Sequence, residues 1–274
     1  MKKRNRRQKM CIGLRFFVLF LLTVCVAGFI CTDAARVTDF SRKNMAPCLL
    51  YPFGTDWMGR DMLARTLKGL SMSILLGVLS ATVSACIALI LGVASATLGR
   101  AADRGIGFVI DLMMGIPHIL LLILVSVALG KGWKGVAWGI ALTHWPSLAR
   151  LIRAEVVQLK ESPYIQIAEK LGKSKWYIVR KHMLPHLAPQ FFVGLVLLFP
   201  HAILHESSVT FLGFGLDAGQ PAIGIILSEA MQHLVTGKWW LALFPGMMLV
   251  LVVTLFYEAG ETLRKLTDPA SVHE

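Results

Sequence analysis

His201 and His205 stand four residues apart, a spacing that puts two imidazoles on one face of a helix, and Glu206 follows directly. Imidazole suits nickel and related divalent metals. Ionisable groups inside an apolar surrounding are costly enough to suggest a pathway. His201, His205 and Glu206 are therefore a candidate transit site for a metal ion. The same histidines also fit a hydrogen-bonded pair near a membrane interface, and the residues alone leave both open. His118, just past Pro117, and His233 are secondary candidates. Asp111 precedes Met113, Met114 and Pro117 in an apolar run and is expected to be buried and paired with a neighbouring helix. Those methionines fit packing better than soft-metal ligation.

Hydrolytic and nucleotide chemistry are disfavoured by spacing. A zinc-hydrolase helix places its general base between the histidines, where this chain has Ala202, Ile203 and Leu204. Gly172, Lys173 and Ser174 look like the tail of a phosphate-binding loop, but Ile167 occupies the position of the required glycine and no strand precedes it. No nucleophile elbow is present. The expectation is a chain with no catalytic site and no bound cofactor of its own.

The elements that must position these residues are membrane helices. The chain of 274 residues is 55% hydrophobic and only 16% charged, with mean hydropathy +0.64. A soluble domain of this size would expose far more charge. Six runs approach the roughly 20 residues needed to cross a bilayer: 11–31, 71–98, 106–129, 136–152, 187–205 and 239–260. His144 and Pro146 interrupt the fourth. This predicts an all-α integral membrane protein with six transmembrane helices. The expected division is a basic tail at 1–10, a first transmembrane helix at 11–31, an outer segment at 32–70, a five-helix core at 71–265 with a loop at 153–186, and a tail at 266–274.

The net charge of +12 sits in short loops beside apolar runs, a topology signal that argues against nucleic acid. The N-terminal tail, the turn with Arg100 and Arg104, the loop from Arg150 to Lys181 and the C-terminus with Arg264 and Lys265 share one side if there are six spans. By the positive-inside rule that side, with both termini, is cytoplasmic. Segment 32–70 is also basic but carries four aspartates. The first apolar run is longer than a signal-peptide core, so an uncleaved span is expected. The five cysteines have no metal or redox spacing, and only Cys31 and Cys48 could meet outside the membrane as a disulfide.

Residues 162–185 form a charged insert between apolar stretches. Ser162 can cap a helix, Pro163 suits its first position and Gly172 stops it, which predicts a short helix over 163–171. Tyr164, Ile167, Ala168 and Leu171 share one face; Gln166, Glu169 and Lys170 share the other. A helix so short is marginal alone, so its apolar stripe calls for a partner surface outside the bilayer. A polar hairpin packed only on its own protein is the alternative, and pattern does not separate the two.

These residues carry a resemblance. Gln166, Ile167, Ala168, Gly172, Leu184 and Pro185 have the spacing of the cytoplasmic loop that ABC importer permeases present to their ATPases, with Gln166 and Ile167 where Glu and Ala are usual. Gly54, Thr55, Asp56, Gly59, Arg60 and Asp61 resemble the Gly-Thr-Asp-x-x-Gly-Arg-Asp segment of the second permease subunit of peptide and nickel importers. Residues 111–117, 145–153 with Ala149, Arg150 and Arg153, and 208–215 agree. The resemblance implies a type I importer permease fold in a bacterial inner membrane, contacting lipid. It implies a heterodimer with a second permease subunit, two cytoplasmic ATPases that hold ATP and Mg, and an extracytoplasmic solute-binding protein. The two histidine features, His201 with His205 and His144 before Trp145, resemble nickel permeases more than oligopeptide ones, so nickel or another divalent metal is the expected solute and a dipeptide or oligopeptide the alternative. Glu206 matches an acid found across the family. A non-transporting membrane scaffold would need no segment like 54–61.

Overall fold

A computed structural model describes residues 6–217 and 219–267. Lys2, Lys3 and Arg4 of the basic tail and all but the first two residues of the expected 266–274 tail lie outside the described residues. Among the described residues the secondary structure is helical, with one isolated bridge between Thr55 and Asp61. In chain order the helices are α1 (Arg6–Ile30), α2 (Met62–Thr97), α3 (Arg100–Gly115), α4 (His118–Ala128), α5 (Gly132–Thr143), α6 (Trp145–Lys160), α7 (Pro163–Lys170), α8 (Lys175–Ile178), α9 (Leu184–Phe211), α10 (Ile223–Leu234) and α11 (Trp240–Thr267).

Four of these runs are long and apolar enough to cross a membrane: the part of α1 from Met10, α2, the continuous stretch Lys175–Phe211, and α11. Helices α3 and α4 make a fifth if taken together as one broken span, bent by 101° where the chain passes Ile116 and Pro117. Proline lacks the N–H that would continue the helix, and the residue before it is pushed to extended backbone; Ile116 is extended, at φ −88°, ψ 136°. The stretch 136–152, expected as one span, is divided between α5 and α6 at His144, with Pro146 in the first turn of α6. A sixth crossing would have to be assembled from those two pieces.

Helix α2 is the axis of the bundle and packs against α1, α5, α6, α9 and α11. Its 36 residues extend about 54 Å at 1.5 Å each, well beyond a hydrocarbon core of about 30 Å. The helix thus begins nine residues before the span expected from Ser71, and Asp61 caps it by accepting from the Leu63 N–H at 2.8 Å. Small residues let neighbours come close. A Cβ on Gly92 would sit 2.8 Å from the Ala149 carbonyl oxygen of α6, and one on Gly77 would sit 2.7 Å from Ile203 of α9. Two apolar cores result, one centred on Leu122, Ile140, Ile152 and Ala149, the other on Leu70, Ile203, Ile226 and Val252.

Ion pairs tie α3 to α6. Arg153 holds both oxygens of Asp103 at 2.5 and 2.7 Å, and Ser95 of α2 donates to the same carboxylate. Arg150 donates to Asp111 at 2.6 Å. Asp111 thus pairs with a neighbouring helix as expected, but it is exposed on this chain where burial was expected. Cys31 and Cys48 are both free.

Candidate functional site

The break between α3 and α4 opens a cleft of about 520 Å³ lined by Met113, Met114, Pro117, His118, His144, Leu198, His201 and His205, among others. Non-helical backbone at membrane depth is tolerated where it lines such a cavity. His118 opens α4, His144 occupies the junction of α5 and α6, and His205 projects from α9. Three helical breaks or faces thus converge on one point. His118 Nε2 lies 3.4 Å from His144 Nε2, which lies 3.1 Å from His205 Nδ1. The ring centroids are 4.4 to 4.9 Å apart. His144 is also anchored from behind, its Nδ1 3.0 Å from the Ile140 carbonyl, and His205 Nδ1 lies 2.8 Å from the His201 carbonyl.

This is a different set from the one that spacing proposed. His205 belongs to the cluster, while His201 lines the cleft without joining the three. Glu206 is not with them: it is fully buried on another side of α9, where Thr210 Oγ1 donates to it at 3.0 Å and Ser207 Oγ at 3.2 Å. One residue along a helix turns the side chain by about 100°, so a neighbour in sequence faces elsewhere. His118 and His144 lie 26 residues apart, and sequence spacing could not join them. The available signal was that His118 follows Pro117 and that His144, two residues before Pro146, interrupts a predicted span.

The loop after α6 folds as the short amphipathic helix that capping residues forecast. Helix α7 spans Pro163–Lys170. Its stop is a Schellman motif: Gly172, at φ +72°, donates to the Glu169 carbonyl and Lys173 donates to that of Ala168. Ser162 stands at the N-cap position, but its hydroxyl turns back to the Leu159 carbonyl. The faces divide differently from the expected stripe. Ile165 and Ala168, 0% and 7% exposed, pack inward, whereas Tyr164, Ile167 and Leu171, 44%, 57% and 72% exposed, face out with Trp176 and Tyr177. Ala168 is therefore an anchor for the loop and Ile165, left out of the expected stripe, is its companion. Gln166 uses its amide to hold the Glu161 carbonyl at 3.2 Å. After α8 a π turn, Val179–Met183, absorbs the missing N–H of Pro185 at the start of α9. Leu184 is half-buried there and Pro185 exposed.

Residues 86–265 match the family described as binding-protein-dependent transport system inner membrane component. The chain belongs to that family. It is 29% identical over 268 residues to the dipeptide transport system permease protein DppC of Bacillus subtilis, covering 97% of this chain and 84% of that one. A putative peptide transport system permease of Brucella suis is 32% identical over 264 residues, covering 96% and 88%. The glutathione transport system permease GsiD of Pectobacterium atrosepticum is 31% identical over 269 residues, covering 97% and 89%. Among solved structures, the inward-facing MetNI methionine ABC transporter matches 76% of this chain and 98% of its own at a TM-score of 0.62 and 20% identity, which shows the fold. This importer permease thus has the all-helical type I architecture.

In this permease the two remaining motif stretches are structural devices. Asp56 is 2% exposed and takes Arg60 Nε and Arg65 Nη1 on one oxygen, both at 2.6 Å, and the Met58 and Arg60 N–H groups on the other. Arg65 continues to Glu229 of α10 at 2.9 Å. Gly54 and Gly59 have positive φ, and a Cβ on Gly59 would sit 1.8 Å from the Asp39 carbonyl oxygen. Thr55 ties in the Arg42 carbonyl and the Met45 N–H. Residues 54–61 are thus a clamp that joins the segment at 39–45 to α2 and α10. Next to it, Ser41 holds the Asp39 carboxyl below the usual carboxylate range through side-chain and backbone hydrogen bonds. The 208–215 stretch is a second Schellman stop, with Gly213 donating to the Thr210 carbonyl and Phe214 to that of Val209. Thr210 joins the buried Glu206 to the Leu216 N–H.

Proposed function

We propose that this permease forms, with a second permease subunit, the path of an ATP-driven importer for small peptides. The observation that carries the solute class is the set of peptide, dipeptide and glutathione permeases to which nearly the whole chain is similar. Nickel, the solute favoured by the histidine spacing, has the weaker support, since Glu206 stands apart from the histidines and the relatives point to peptide. Both termini and the loop 153–186 face the cytoplasm in this reading, and the 54–61 clamp faces outward toward a solute-binding protein.

The work of this chain is mechanical coupling. Tyr164, Ile167 and Leu171 are exposed, as are Trp176 and Tyr177 and the basic Lys170, Lys173, Lys175 and Arg180 of the same loop, with Lys173 over the Tyr177 ring. These side chains suit a groove on a cytoplasmic ATPase. Closure of two ATPases on ATP would move α7, and the inward anchors Ile165 and Ala168 would pass the motion to α6 and the core. Nucleotide and Mg stay on the ATPases. The test is uptake of a labelled dipeptide and of radioactive nickel, in parallel, by cells with and without this subunit. Dipeptide uptake that requires the subunit is expected; loss of nickel uptake alone would reverse the solute assignment.

A further inference from the structure

The cleft at the α3–α4 break is lined by four histidines, three of them clustered, and by no carboxylate. In neutral histidines each ring carries one N–H and one lone pair. The anchors behind the cluster use two of the N–H groups, His144 Nδ1 on the Ile140 carbonyl and His205 Nδ1 on the His201 carbonyl. The lone pair of His144 Nε2 then faces both His118 Nε2, at 3.4 Å, and His205, at 3.1 Å. A proton on His118 Nε2 can satisfy that lone pair once. The approach of His205 uses the same Nδ1 that donates to the His201 carbonyl, so its N–H is shared between that carbonyl and His144 Nε2. A cation among the rings takes the lone pairs that the carbonyl anchors leave, on His144 Nε2 and His205 Nε2, with one from His118.

The distances agree with such an ion. Nitrogens bound at about 2.0–2.1 Å to a common metal are about 2.9 Å apart at right angles and about 3.3 Å apart at tetrahedral angles. One edge of the triangle, His118 Nε2 to His144 Nε2 at 3.4 Å, falls near this spacing. The ligand atoms of all three rings lie within 4.8 Å of one another, and a turn of the half-buried His118 or His205 ring closes the set. Carbonyl partners on the far nitrogens are the usual way a protein fixes the ring orientation of ligating histidines. All-nitrogen donors select first-row transition metals over magnesium or calcium, which prefer oxygen. The ring set leaves coordination positions open toward the cleft.

We propose that His118, His144 and His205 form a three-imidazole site for a divalent first-row transition-metal ion in the cleft of this permease. The site goes beyond the peptide reading and does not depend on it. Peptide uptake and metal binding are separate measurements, and either can fail alone. His144, buried and anchored, is the fixed ligand, and His118 and His205 close on the ion from the open side.

The test uses the complete importer complex purified through a tag without histidine, with Co²⁺ and Ni²⁺ alone as probes. One Co²⁺ per copy of this chain is expected, with X-ray absorption showing nitrogen neighbours at about 2.0–2.1 Å. His118→Ala and His205→Ala should each weaken binding at least about tenfold, while His186→Ala and His233→Ala should leave it unchanged. If His144→Ala does not assemble, the wild-type spectrum and the His118→Ala titration decide. An oxygen-only coordination shell, no stoichiometric uptake of either metal, or wild-type affinity in an assembled His118→Ala complex would overturn the assignment.

Discussion

The clamp at Asp56 and the cleft at His144 are both buried polar clusters, and they are built on opposite plans. Around Asp56, each charge meets its complement: one carboxylate takes two guanidinium donors and two backbone N–H groups, and Glu229 takes what remains of Arg65. Around His144, like groups face like groups, with backbone carbonyls behind them and an open cleft in front. A cluster whose donors and acceptors cancel internally is finished as architecture. One whose lone pairs converge has capacity left for something that arrives from outside. Motif matching alone cannot tell these apart, because the clamp carries the more specific family motif and turns out to be the scaffold.

The comparison breaks first at the clamp. Asp56→Ala leaves Arg65, which is buried, without its main partner, and should cost about 3–5 kcal/mol, seen as loss of assembled complex in a thermal melt. Wild-type stability there would mean that the clamp is solvated. Gly59→Val should come next: it forces a β-branched residue to positive φ against the Asp39 carbonyl and should destabilise by on the order of 2 kcal/mol or more. The cleft should behave in the other way. His205→Ala, at a half-buried position on the cleft, should change melting little while altering what the complex binds.

The coupling loop sharpens the same contrast on a smaller scale, since one helix carries both kinds of face. Ala168→Asp inserts a carboxylate into the apolar core that Ala168 joins and should cost about 2–4 kcal/mol. Leu171→Asp, on the exposed face, should stay within about 0.5 kcal/mol of wild type yet abolish solute-stimulated ATP hydrolysis. Measuring melting and ATPase activity on both variants checks the division: equal melting temperatures would show that Ala168 is not an anchor, and normal ATPase activity in the Leu171 variant would place docking elsewhere.

Much of the framework was legible from the chain alone, for identifiable reasons. Apolar runs of bilayer length stand out in any composition window, so α1, α2, α9 and α11 were found close to where they lie. Local backbone signals work at short range, and Pro163 and Gly172 bounded α7 to within a residue because a fixed φ at one end and a left-handed φ at the other are intrinsic to those residues. The family resemblance at 54–61 was visible too, as were the histidine types.

What only the tertiary structure decided is which groups meet. Periodicity put Ala168 on the docking face, but the packing of α7 against α6 and α8 turned it inward and brought Ile165 with it. Adjacency joined Glu206 to His205, and the helical twist sent the two in different directions. The 101° bend at Pro117 and the junction at His144 brought three imidazoles from separate helices to one point. The length and polarity of a helix are properties of its own residues, so the chain determines them locally. A site assembled from His118, His144 and His205 depends on how whole helices pack and bend, and that is settled by contacts distant in sequence.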